Sequence, residues 1–145
     1  MNILFITPYL PSENSGHAGA QLIYRNVVGL SEYNKITIAS FIDANEKDSI
    51  DNLASYGIDA YTISYPRNQK SPSGKINSVF RNIKPAFSYI KGEEPFFIAK
   101  YNKQGMSDLI SKLLNSNSFD LVQVEYNVMH HYAHLFVNIK SLIVF

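Results

Sequence analysis

Residues 1–30, MNILFITPYLPSENSGHAGAQLIYRNVVGL, read as a strand, a long glycine-bearing loop and a helix, and that order decides the fold. Asn2-Ile3-Leu4-Phe5-Ile6-Thr7 is a nearly unbroken apolar run, short and β-prone, which predicts a strand buried on both faces in the middle of a parallel sheet. Pro8 and Pro11 forbid its continuation, and Gly16 and Gly19 permit backbone shapes that other residues avoid. Leu22, Ile23, Asn26, Val27 and Leu30 then share one face at helical spacing, the face expected to pack on the sheet. A strand's carboxyl end, a glycine-bearing loop and a helix amino-terminus together favour an anion, and ligands of open parallel sheets bind at that edge. Gly16 to Ala20 is therefore the first candidate site.

Working outward, Lys35–Ile42 is rich in β-branched residues and reads as a second strand ended by Asp43. A surface helix follows, with Ile50, Leu53 and Ala54 inward and Gly57 as its stop. Ile58–Tyr65 alternates like a third strand near a sheet edge. Residues 74–91 read as a helical segment interrupted at Pro85, anchored by Val79, Phe80, Ile83, Phe87 and Ile90. A further helix is best formed from about Gln104 to Leu114. Phe119–Glu125 is the fourth strand, residues 126–136 a short helix, and Ser141–Phe145 a fifth strand. Strand alternating with helix predicts an α/β fold, a Rossmann-like parallel sheet flanked by helices. The apolar run at Phe145 suggests one domain, 1–145, cut within its fifth strand.

The 145 residues suit one domain, and 46% hydrophobic with 17% charged residues argues against long disorder. Without cysteine there is neither a disulfide nor a thiolate metal site. The start lacks a basic leader and its apolar run halts at Pro8, so neither signal peptide nor membrane span is read and the expected location is cytoplasmic. The net charge of +1 is unevenly spread: residues 66–103 hold eight basic residues against Glu93 and Glu94, the remainder five against ten acidic ones.

Two stretches carry a family resemblance. "NILFITPYLPSENSGHAGAQLIYRNVVGLSEYNKITIASF" (2–41) resembles the start of GT-B-type retaining glycosyltransferases, family four of the carbohydrate-enzyme classification, with their strand, Thr-Pro-Tyr-x-Pro turn, Gly-Gly-Ala-Gln-like loop and helix. "FDLVQVEYNVMHHY" (119–132) resembles the same family's fourth strand and following turn. The resemblance implies one half of a GT-B two-domain architecture, the acceptor-side half. It further implies a nucleotide-sugar-binding C-terminal domain, expected to be missing from these 145 residues and to be their partner. It implies transfer of a sugar from a nucleotide-sugar co-substrate to a glycan or lipid-linked acceptor, with no bound cofactor or metal and no activity in the isolated half. By carry-over, Gly16 and Gly19 allow close backbone approach near the interdomain cleft and His17 offers a hydrogen bond. Many relatives carry histidines at the places of Gln123 and Glu125, so Glu125 as a catalytic or sugar-binding group departs from the pattern. A sugar-nucleotide epimerase half and a non-catalytic module binding an anionic sugar or lipid headgroup are the alternatives.

Three further features need weighing. Asp43 follows Gly19 at a distance that mimics a dinucleotide-binding acid, but the third glycine is missing and the loop from Pro8 is too long for that turn. His130 and His134 share a face if residues 126–136 are α-helical, yet H-E-x-x-H is absent, so no metal is expected and His130 is kept as a substrate contact. The basic, aromatic stretch, with Arg81, Lys84, Lys91 and Lys100, suits an anionic acceptor or the inner face of a membrane. No nucleic-acid-binding motif accompanies it.

Overall fold

The computed structural model describes residues 1–67, 82–83, 85–92, 94–137 and 140–144. Five strands, β1 (Asn2–Thr7), β2 (Lys35–Ile42), β3 (Asp59–Ser64), β4 (Leu121–Val124) and β5 (Leu142–Val144), form an all-parallel sheet in the order β3-β2-β1-β4-β5. Helices α1 (Ala18–Ser31), α2 (Asp48–Ser55), α3 (Phe96–Ala99) and α4 (Gln104–Ser116) flank it, with 3-10 helices at Ala44–Glu46 and Asn127–Phe136. This is the Rossmann-like α/β architecture that the alternation of strand and helix predicts.

Strand periodicity sorts the apolar residues into two cores. Leu4, Ile6, Ala39, Phe41, Val122 and Val124 face α4 and the second 3-10 helix, through Met106, Ile110, Tyr132 and Phe136. Ile3, Phe5, Ile36, Ile38 and Ile42 face α1 and α2, through Ile23, Val27 and Leu53. Apart from Asn2 and Lys35, β1 and β2 are buried throughout, as strands covered on both faces must be. Emptying one such site, as in Ile38→Ala, costs about 2–5 kcal/mol.

The phase of α1 differs from the expected one. Its buried residues are Ala20, Ile23, Tyr24 and Val27, while Leu22 is 60% exposed and Asn26 and Leu30 are exposed too. Tyr24 decides the phase: its ring packs inward and its hydroxyl donates to Asn52 Oδ1 of α2 at 2.8 Å, an anchor that leucine cannot provide. The expected surface helix divides into a 3-10 turn and α2, with Leu53 buried and Ala54 exposed, and Gly57 ends it at φ +71°. Helical residues stand on both sides of Pro85, at 82–83 and 85–90, and Ile83, Phe87 and Ile90 are exposed side chains, not anchors. Val79, Phe80, Arg81 and Lys84 lie outside the described residues.

Candidate functional site

The carboxyl edge of the sheet is built around Tyr9. Thr7, the last residue of β1, donates its hydroxyl to the Tyr9 carbonyl at 3.2 Å, which turns the chain through Pro8. Four groups then meet the Tyr9 ring. The His17 imidazole stacks on it with centroids 4.0 Å apart, the Arg67 guanidinium lies 4.8 Å from its centroid, and Tyr101 and Tyr126 meet it edge-on at 6.2 and 5.6 Å. The hydroxyls of Tyr9 and Tyr101 are 3.2 Å apart. Burial pushes the Tyr101 phenol above its ordinary range, and burial followed by the neighbouring Tyr9 and Glu125 does the same to Tyr126.

Arg67 is a structural clamp. Its Nη1 meets both carboxylate oxygens of Glu46 at 2.9 Å, and its Nη2 donates to the carbonyls of Pro8 at 2.8 Å and Phe41 at 3.3 Å. Its backbone N–H donates to Asp43 Oδ2 at 3.0 Å. One side chain, 12% exposed, thus ties together the chain leaving β1, β2 and β3, and its charge is matched by Glu46 instead of being offered to an anion. Asp43, mostly buried, forms a capping box with Glu46: its Oδ1 accepts from Ala44 N at 2.7 Å and Glu46 Oε2 accepts from Asp43 N at 2.8 Å. Both Asp43 oxygens therefore serve the backbone, which is the role opposite to holding a ribose.

Neither glycine of the loop has the left-handed backbone expected of it. Gly16 has open space where a Cβ would stand, whereas a Cβ on Gly19 would fall 1.7 Å from the Tyr126 hydroxyl. What approaches the Gly19 backbone is the chain's own tyrosine, set there by a φ of +69°, the only left-handed non-glycine among the described residues. His17 precedes α1 without a side-chain capping bond, and its ring is occupied by Tyr9.

Gly16 lines a cavity of about 350 Å3 between the loop and α2, together with Ser12, Glu13, Asn14, Ser15, Asn45, Glu46, Asp48, Ser49 and Asn52. Glu13 and Asp48, with Glu46 already paired to Arg67, make this cavity a poor pocket for phosphate. Its hydroxyls, amides and acids suit an uncharged, hydroxyl-rich ligand. Glu125 stands elsewhere. It accepts a hydrogen bond from Gln123 Nε2 at 3.3 Å and lines a separate cavity of about 460 Å3 with Phe5, Arg25, Asn26, Gly29 and Leu30, where α1 faces β4. Glu125 and Gly16 thus line different cavities, and His17 lines neither. No protein-family model matches the chain, and no curated protein is significantly similar to it.

The histidines also regroup. Residues 127–136 form a 3-10 helix, in which side chains three apart, not four, are eclipsed, so His130 and His134 do not share a face. His134 bonds the His131 carbonyl at 2.7 Å through Nδ1, while His130 and His131 turn towards Glu94. Burial lowers the pKa of His131 against the opposing pull of Glu94. Of the basic residues singled out, Lys91 is exposed and Lys100 half-buried, its Nζ lying 5.8 Å from the Tyr65 ring centroid and 5.9 Å from that of Tyr101. The sequence shows the Asp43-x-x-Glu46 spacing of the capping box, but it carries no signal for the left-handed Tyr126 or for the Tyr9 cluster.

Proposed function

We propose that this chain is the acceptor-side half of a GT-B-type glycosyltransferase, which holds a glycan or lipid-linked acceptor while a nucleotide-sugar is bound by a second domain. The observation that carries the reading is the polar cavity at the carboxyl edge of the sheet, lined by carboxylates, amides and hydroxyls around Gly16. Planar polar groups of this kind bind sugar hydroxyls with both donors and acceptors. The resemblance of residues 2–41 and 119–132 supports the same reading, and fold alone would host many other activities. The acceptor side would work from the cytoplasm. Exposed Phe87, Tyr89, Ile90 and Phe97, with Lys91 beside them in sequence, support peripheral contact with a membrane carrying a lipid-linked acceptor. No helix among the described residues is long and apolar enough to cross one.

The test is transfer by the product of the whole gene, read as nucleotide release from UDP- and GDP-sugars with glycan and lipid-linked acceptors. Asp48→Ala and Asn52→Ala should raise the KM for acceptor roughly tenfold and leave the KM for donor within about twofold, since uniform binding is lost on one substrate alone. A gene product that consumes no nucleotide-sugar sinks the transferase reading. Robust turnover by residues 1–145 alone would overturn the division of labour between halves.

A further inference from the structure

Glu94, His130 and His131 bring one carboxylate oxygen and two imidazole nitrogens within 4.8 Å of one another. None of the three lines the polar cavity around Gly16. Glu94 enters through Pro95, which opens α3, while the histidines ride on the 3-10 helix that follows β4. His130 Nδ1 lies 3.0 Å from the Asn127 carbonyl. In the neutral ring that carbonyl holds the proton on Nδ1, leaving Nε2 as a bare lone pair, the outer-shell arrangement that orients metal-bound histidines. The two rings lie 4.3 Å apart at a tilt of 32°, and the Nε2 atoms of both approach the same Glu94 oxygen.

His131 Nε2 supplies the second observation. It is buried and 2.9 Å from Glu94 Oε1, yet it makes no hydrogen bond of acceptable geometry. His130 Nε2 is 3.8 Å from the same oxygen. Two ligands of one tetrahedral ion, each at 2.0–2.1 Å, stand roughly 3.3 Å apart, and each points at the ion instead of at the other. The two distances to Glu94 straddle that value, and the set as a whole spans up to 4.8 Å, so the ligands close in by about an ångström or more on the ion.

From this geometry we propose that Glu94, His130 and His131 bind a divalent first-row cation of the zinc class. The chemistry of the donors sets the class: two imidazoles and one carboxylate suit Zn²⁺, Co²⁺ or Fe²⁺ over Ca²⁺ or Mg²⁺, which demand more oxygen. Three protein ligands leave one position for water, on the side where His130 is 53% exposed. The ion joins the segment before α3 to the helix after β4 and so fixes the chain on both sides of this edge.

The test is titration of the whole protein with Co²⁺, read by visible absorption, and with Zn²⁺, read by calorimetry and thermal unfolding. One equivalent of Co²⁺ should give the intense spectrum of a tetrahedral or five-coordinate ion. Glu94→Gln and His130→Asn should weaken binding roughly tenfold or more, while His134→Asn and His17→Asn leave it unchanged. Circular dichroism of the ion-free variants confirms that each is folded, and the exposed His130 decides the matter if a His131 variant fails to fold. Absence of stoichiometric binding overturns the assignment. So does binding that survives Glu94→Gln and His130→Asn, or that falls equally in His134→Asn.

Discussion

The hydroxyl of Tyr126 stands where a side chain on Gly19 would begin, 1.7 Å from the position of its Cβ. Two segments more than a hundred residues apart in sequence are thereby matched in shape. The left-handed Tyr126 throws its ring over the first turn of α1, and only a glycine there leaves room. Gly19→Ala makes the exposed end of the Tyr126 ring swing aside and should destabilise the fold by about 1 kcal/mol or less, the lost ring packing being set against alanine's better helix propensity. In a Tyr126→Ala background the same change should cost much less, a coupling of about 1 kcal/mol or more in a urea-unfolding double-mutant cycle. Equal costs in the two backgrounds would show that the ring does not hold this place.

Arg67 bonds Glu46, Pro8 and Phe41 at once, so its loss strands a carboxylate and two carbonyls. Arg67→Met should lower stability by about 2–3 kcal/mol, discounted from the range for fully buried pairs because Glu46 keeps some exposure. Arg67→Lys should recover little of that, since one ammonium cannot reach all three partners. Full rescue by lysine, measured as the urea midpoint, would mean that charge alone matters.

Alkaline pH should loosen the α4 side of the molecule. Burial pushes the Tyr132 phenol from 10.0 up to about 12, and its hydroxyl donates to the Tyr101 carbonyl at 2.5 Å and accepts from Lys103 N at 3.1 Å. The folded state therefore holds this proton more tightly than the unfolded chain. The stability it contributes is complete below about pH 10 and is lost as pH rises through about 12, an effect on the order of 2 kcal/mol. Tyr132→Phe should be less stable at pH 8 for want of its hydrogen bonds, yet lose less than the wild type between about pH 9 and pH 12. Parallel curves for the two proteins would remove Tyr132 as the cause.

Contact with a membrane should depend on apolar side chains as well as charge. Phe87 is 62% and Ile90 78% exposed on the helical residues 85–90, next to Lys91. Phe87→Glu with Ile90→Glu should abolish co-sedimentation with phosphatidylglycerol vesicles, and Lys91→Glu should weaken it several-fold. Equal sedimentation of all variants would exclude this face.

The parallel sheet was legible in the sequence because its central strands are covered on both sides. Ile3 to Thr7 and Ile36 to Ile42 must be largely apolar or small, and a short β-prone run of this kind between turn residues has few other readings. The stop at Gly57 was legible for a similar local reason, since a left-handed residue selects glycine. The site was not legible in this way. The phase of α1 turned on a Tyr24 hydroxyl reaching Asn52, and the roles of Gly16 and Gly19 parted according to whether Tyr126 lay overhead. Arg67 reads as one cation of a basic surface until Glu46 and Pro8 are seen beside it, and Glu94 joins the histidines only across the fold. Periodicity and turn chemistry act between near neighbours and are written into the chain. A steric exclusion, an ion pair or a ligand set depends on which distant segments the packed sheet brings within a few ångströms, and that was decided by the tertiary structure.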